Sequence, residues 1–469
     1  MVINHRRFRS VKTPKNGLFL EITLICFGVV ISLISFIFGH DVWGGVSALA
    51  ILVIVAIYRA NLNLIHPLTW FPSIFFLYSI AYPVLVELGE YPPTNFLKET
   101  LFLEWIALLT FILVFGKPKN RIVCYDDQSI TNIKIIAFPL YIVSFALTAI
   151  YIFSVYSRGL TSKYAISLDQ SFLKNLTLFF PIFILCFILL LSYNFIVKKE
   201  MPKMLIAFTI GYTIIALLVL GERDLVLKVL LCILFLTHIL YKRISRRKLM
   251  IIGILGLYLV PFLGGFKNFA VKEAVVAEER KSLVVDILTS EFSAASKNIS
   301  ELLNQPNLWE PFYGKTFLWD LQVVLGIGVS PGAWYNNTFF PELIARGGGN
   351  GFTIVGEGYI NFGTFGVILV FSFLAMILKF VYLKSSGNII WLTIYIASLP
   401  IFIYMIRGDL ATLLTQVSKQ IILPLIIIFI LKHILENSLK KIKRPKRFPI
   451  YKAELEHIEN RTVRTLFEK

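Results

Sequence analysis

Three short stretches place charged side chains where an apolar segment begins. Arg346-Gly-Gly-Gly-Asn-Gly-Phe-Thr-Ile-Val-Gly-Glu-Gly-Tyr-Ile-Asn-Phe-Gly363 carries an arginine and a carboxylate, Glu357, and runs straight into an apolar run. Gly221-Glu-Arg-Asp224 and Arg407-Gly-Asp409 are near-minimal turns between apolar runs, and each holds an arginine. Arg158 and Arg280 stand beside other apolar runs on longer loops. A helix N-terminus has unsatisfied N–H groups and partial positive charge, so with a guanidinium fork beside it it receives phosphate oxygens well. A carboxylate at such a boundary can accept the proton of an attacking hydroxyl, a role worth typically ~10²–10⁴-fold. Plainer readings stand beside these. The arginines would make local ion pairs worth under ~1 kcal/mol at exposed sites. Glu357 would cap a helix, and Asp224 and Asp409 would be helix N-caps. Lys228 and Lys419, a turn or two into their helices, either face a polar cavity or snorkel to the interface.

Other catalytic constellations are missing. No His/Cys/Asp cluster has metal spacing, so neither a metal nor a cofactor is expected. No strand is expected, hence no P-loop or dinucleotide fingerprint, and Gly347–Gly351 reads as a flexible re-entry loop. The four cysteines suggest no disulfide framework.

The elements that must position these residues are membrane helices. The chain has 469 residues, of which 57% are hydrophobic, and a mean hydropathy of +0.75. That is more apolar surface than a soluble core absorbs. A spanning helix needs roughly 20 apolar residues. Twelve stretches qualify, near 18–38, 45–58, 68–88, 100–115, 134–156, 174–197, 204–220, 224–240, 249–265, 358–383, 389–406 and 411–432. Lys+Arg number 46 against 28 Asp+Glu, and the positive-inside rule accounts for that excess better than nucleic acid does. Basic loops such as Lys198–Lys203 and Lys242–Lys248 alternate with acidic ones carrying Glu87, Glu90 and Glu99. Both termini are therefore expected in the cytoplasm, and the arginines outside.

About ninety residues separate the ninth stretch from the tenth, too long for a structureless loop. Within it, Ser282–Leu303 shows helical apolar spacing and reads as an amphipathic helix lying on the outer membrane face. Trp309, Phe312, Tyr313, Phe317, Trp319, Trp334 and Tyr335 follow, either as interfacial anchors or as sugar-stacking surfaces. The chain thus divides into a membrane domain over 1–265, an external loop over 266–357, three last helices over 358–432 and a basic cytoplasmic tail over 433–469. Outward arginines, one carboxylate and an aromatic loop suit a large anionic lipid-linked substrate. Glycosyl transfer from a polyprenyl pyrophosphate would let arginines stabilise the leaving group without a metal.

Gly351-Phe-Thr-Ile-Val-Gly-Glu-Gly-Tyr-Ile-Asn-Phe-Gly-Thr-Phe-Gly366 resembles the signature of bacterial oligosaccharide repeat-unit polymerases, the Wzy-type O-antigen polymerases. In that family such a stretch follows a large external loop and opens a late helix. Gly221–Asp224 resembles the arginine-bearing external turn midway along such chains. The resemblance implies an all-α polytopic protein of about 12 transmembrane helices and GT-C-like architecture. Its implied place is the bacterial inner (plasma) membrane, with the site facing the periplasm. The implied activity is metal-independent, inverting transfer of the growing glycan from undecaprenyl pyrophosphate onto a new lipid-linked repeat unit. Carried onto this chain, Arg223 and Arg407 would hold pyrophosphate, with Arg346, Arg280 and Arg158 assisting. Glu357 would be the base, with Tyr359 and Asn361 beside it. Partners would be undecaprenyl-pyrophosphate-linked oligosaccharide and membrane lipid, with a chain-length-regulating co-polymerase left open. The alternatives are an O-antigen ligase, which uses an external histidine with no counterpart near residue 350, and a flippase, which would want an inverted repeat.

Overall fold

A computed structural model describes residues 17–39, 42–116, 125, 127–160, 166, 171–270, 283–345 and 349–443. Arg280 and Arg346 lie outside the described residues. Among those described there is no strand. The chain divides into two compact units, Met1–Pro424 and Leu425–Lys469.

In the first unit the helices are α1 Gly17–Phe38, α2 Val42–Arg59, α3 Pro67–Glu87, α4 Leu97–Phe115, α5 Asp127–Ser157, α6 Phe179–Tyr193, α7 Lys203–Leu220, α8 Arg223–Leu236 and α9 Arg246–Ala270. The segment between α9 and the next long helix folds as α10 Leu283–Ile287, α11 Ser293–Asn304, α12 Lys315–Val324, α13 Pro331–Phe339 and α14 Pro341–Ala345. Then come α15 Ile354–Lys384, α16 Ile389–Met405 and α17 Leu410–Val417. A last helix, α18, runs Leu423–Lys443, and its described turns make up what is seen of the second unit. Among the described residues, eight helices are long and apolar enough to cross a membrane by length and composition. Two more, Ile22–Phe38 and Ile389–Met405, are apolar but shorter. Each of the twelve apolar stretches falls on a helix, and the fold is that of a multi-pass membrane protein.

Apolar burial cannot by itself hold helices together in lipid, so buried polar ties matter there. Trp70 of α3 donates to the Tyr395 hydroxyl of α16 at 3.1 Å, and Ser79 of α3 donates to Glu104 of α4 at 3.0 Å. Tyr141 of α5 and Thr209 of α7 share a hydrogen bond of 2.8 Å.

The segment that carries α10 to α14 departs from the expectation in two ways. Of the periodic stretch 282–303, the described residues 283–303 are helical, with a π-helical turn at Leu288–Phe292, but the apolar face is covered by protein instead of lipid. Phe292 meets Tyr78 of α3 edge-on at 5.0 Å, Ser296 donates to the Tyr78 carbonyl at 2.9 Å, and Ile299 and Leu302 are fully buried. Periodicity reveals a face, not its occupant. The aromatic run is mostly core as well. Trp309, Phe312, Trp334, Phe339 and Phe340 pack around Leu302, Tyr335, Phe352 and Ile360. Only Tyr313 of the run is left strongly exposed, at 74%.

Candidate functional site

The glycine-rich stretch becomes intelligible through what its backbone touches. Asn336 of α13 pairs with Asn350 like a strand neighbour: its amide donates to the Asn350 carbonyl at 2.6 Å and its oxygen accepts the Asn350 N–H at 2.7 Å. Asn298 of α11 donates to the Gly351 carbonyl. Gly351 itself packs so tightly on the Arg407 carbonyl that a side chain there would overlap it. α15 then starts at Ile354, bends at Phe362–Gly363, where Gly363 takes φ 59°, and continues to Lys384. Across that bend Gly358 and Gly366 approach backbone to backbone, which only glycine permits.

Glu357 sits one turn into α15 and is fully buried. Its Oε1 accepts the Thr316 hydroxyl of α12 at 3.2 Å, and its Oε2 accepts the Leu410 amide of α17 at 2.6 Å. Asn361, one turn on and also fully buried, donates to Thr316 Oγ1 at 2.6 Å and to the Glu357 carbonyl at 2.8 Å. Its oxygen accepts the Gly314 N–H at 2.9 Å, and Phe312 donates to the Ile360 carbonyl at 2.9 Å. Residues 312–316 are thus strapped along 357–361. Tyr359 turns into the aromatic cluster, edge-on to Trp309 at 6.0 Å.

Asp409 fulfils the N-cap expectation: extended at φ −121° and ψ 175°, it accepts the Thr412 amide at 2.7 Å. Its other oxygen accepts the Gly332 amide of α13 at 2.7 Å. Asp224 does not cap α8. Glu222 holds that position without a side-chain cap bond, and Asp224 lies in the first turn. A third acid, Asp320 of α12, was not singled out from the sequence. It is fully buried against Glu357, within the field of Asp409 and with the Ala411 amide toward it. Burial pushes its carboxyl from the usual 3.8 up to about 7.

These contacts correct one expectation. The first amides of α17 are not free for phosphate; Leu410, Ala411 and Thr412 face Glu357, Asp320 and Asp409 in turn. Among the described residues no group of three or more His, Cys, Asp or Glu side chains is arranged to hold a metal ion.

The arginines divide. Arg223 and Arg407, on turns 184 residues apart in sequence, stand close enough to interact electrostatically, and both act on the Tyr78 hydroxyl of α3. Gly221 closes α7 in the left-handed conformation at φ 68°, which lets Arg223 start α8 after one intervening residue. Arg407 lies over the Tyr404 ring at 4.9 Å. Both are half-buried. Beside the Arg223 turn lies a cavity of about 290 Å³, lined by Glu222, Asp224 and Lys228 together with Tyr151, Phe180 and Pro400. Lys228 donates there to Gln420 at 3.1 Å, so it faces a polar partner. Lys419, next to Gln420 on a π-helical turn, is exposed. Arg158 is exposed and donates to the Ser154 carbonyl at 3.1 Å, closing the end of its own helix.

No curated protein and no solved structure matches the chain. Residues 327–438 match the family model described as O-antigen polysaccharide polymerase Wzy. That stretch holds Glu357, Arg407 and Asp409, while Arg223 and Asp320 lie before it. The match contains the whole of Gly351–Gly366, and it bears out the resemblance to the Wzy-type family that this motif carries.

Proposed function

We propose that this chain polymerises undecaprenyl-pyrophosphate-linked oligosaccharide repeat units into a surface polysaccharide at the outer face of the bacterial inner membrane. The family match supports polymerisation. The observation that carries the chemistry is the juxtaposition of Arg223 and Arg407. The two half-buried guanidinium groups repel, an effect that Asp224 and Glu222 beside Arg223 oppose in part, and a dianionic ligand that meets both offsets it further. In the reaction, an acceptor sugar hydroxyl attacks the anomeric carbon of the donor glycan. The bond to the pyrophosphate oxygen breaks with inversion, and undecaprenyl pyrophosphate leaves with its charge held by the two guanidinium groups.

For the hydroxyl proton, Glu357 is the acceptor that the sequence pattern favours. Its complete burial and two engaged oxygens favour a second reading. There it is a strut that fixes the Arg407 turn, and the proton leaves to solvent.

Deleting the protein should leave surface glycan capped with a single repeat unit in place of a ladder. A gel of extracted lipopolysaccharide reads this. No added unit would indicate a flippase, polymer stranded on the lipid carrier a ligase, and an intact ladder would overturn all three. In the complemented strain, Arg223→Ala and Arg407→Ala should each abolish the ladder with protein levels unchanged. Lysine at either position should restore it only in part, because the bidentate fork is lost.

A further inference from the structure

Asp320 is a buried ionisable group in this corner that the proposed reaction leaves unused and that, unlike Asp409, caps no helix. It has no exposed surface, and neither carboxylate oxygen closes a well-formed hydrogen bond to a conventional donor. What faces it is another acid, Glu357, with Asp409 beyond and the Ala411 amide alongside. Two carboxylates in buried hydrogen-bonding contact cannot both be ionised, and a single proton between them turns the repulsion into a strong bond.

The placement is built in. Thr316 and Asp320 are four residues apart and so share one face of α12. Thr316 reaches Glu357 on that face, which brings Asp320 to the same carboxyl. Three acids from α12, α15 and the cap of α17 therefore converge on three successive amides at the positive end of α17. That end accommodates negative charge, but not three full charges in a sealed site.

We propose that Asp320 is a positioning residue: it shares one proton with Glu357, and this acid pair latches the external helix α12 onto the first turn of α17. The latch holds Arg407, three residues before Leu410, in register with Arg223. The link to polymerisation rests on the function proposed above; the latch itself does not. Of the ionisable groups on the packed elements, Glu357 and Asp409 face Asp320, whereas Lys315 on its own helix is exposed. A buried carboxyl raised from 3.8 to about 7 binds its proton more tightly when folded. Acid therefore favours the latched fold, and stability falls as pH rises from about 4 through about 7.

The test uses the full chain, purified in detergent for melting temperature against pH and expressed in the deletion strain for polymer length. Asp320→Asn offers Glu357 an N–H with no titrating proton, and should flatten the pH dependence while keeping the ladder. Asp320→Ala should lower the melting temperature by about 2–4 °C at acidic pH and shorten the polymer at least tenfold. A wild-type pH dependence in Asp320→Asn overturns the shared proton. Wild-type polymer and melting in Asp320→Ala overturn the positioning role. If the deletion strain keeps its ladder, the polymerase reading fails, while the melting curves still decide the latch.

Discussion

Because the carboxylate of Glu357 has one oxygen on a hydroxyl and one on a backbone amide, its replacements separate two roles. Gln keeps an acceptor for Leu410 and a donor toward Asp320, but it cannot take a proton. Loss of a general base predicts a fall of ~10²–10⁴-fold in polymerisation; loss of a strut predicts less than tenfold for Gln. Ala strands the Leu410 amide in a buried site, at a cost of about 1–3 kcal/mol. On the strut reading Glu357→Ala is therefore the worse variant, and on the base reading the two are equally inactive. Single-turnover polymer assays with matched melting curves give the ranking. Some of this corner could be read from residue order: Glu357 stands out at a membrane boundary, and Asp409 precedes an apolar run as N-caps do. Asp320, Asn298 and Asn336 could not, because nothing in the residues around each names its partner until α12, α11 and α13 fold onto α15 and α17. No local pattern encodes those long-range contacts.

At the scale of elements, hydrophobic runs located the helices because length and apolarity are all a span requires. The partner of an amphipathic face is a different matter. For 282–303, lipid and protein give the same periodic sequence, and the choice of α3 depends on Tyr78 and Ser296 meeting in space. The bend in α15 was half legible: its glycines marked close approach, but the pairing of Gly358 with Gly366 needs the backbone path. A Cβ at Gly366 would overlap the Gly358 carbonyl, so Gly366→Ala should force the two halves of α15 apart. Overpacking of this kind costs typically about 1–3 kcal/mol, and melting of the purified variant should show it. Gly387→Ala makes the control, since nothing lies within 4 Å of the position where a Cβ would be added.

For the whole molecule, orientation is what gives the site its meaning. We propose, from the positive-inside rule and helix alternation, that the basic loops Lys198–Lys203 and Lys242–Lys248 lie opposite the acidic turn Glu87–Glu90 and that the arginine turns lie on the acidic side. In a cysteine-free background, a cysteine at Gly89 should react with a membrane-impermeant maleimide in intact cells. One at Lys242 should react only after permeabilisation. The reverse pattern would put Arg223 and Arg407 in the cytoplasm and remove the basis for an outward-facing reaction.

The meeting of Asp320, Glu357 and Asp409 also has a meaning in time. The chain is synthesised from its N-terminus, so Asp320 and Glu357 have both been made before the Arg407 turn and the first amides of α17. Until α17 arrives, the two earlier acids lack the amides that later accommodate them. The last hairpin is therefore the keystone of biogenesis: its delivery converts an acid-bearing loop from a nascent intermediate into a closed fold. A chain arrested before residue 409 should expose that loop to proteases that spare the finished protein.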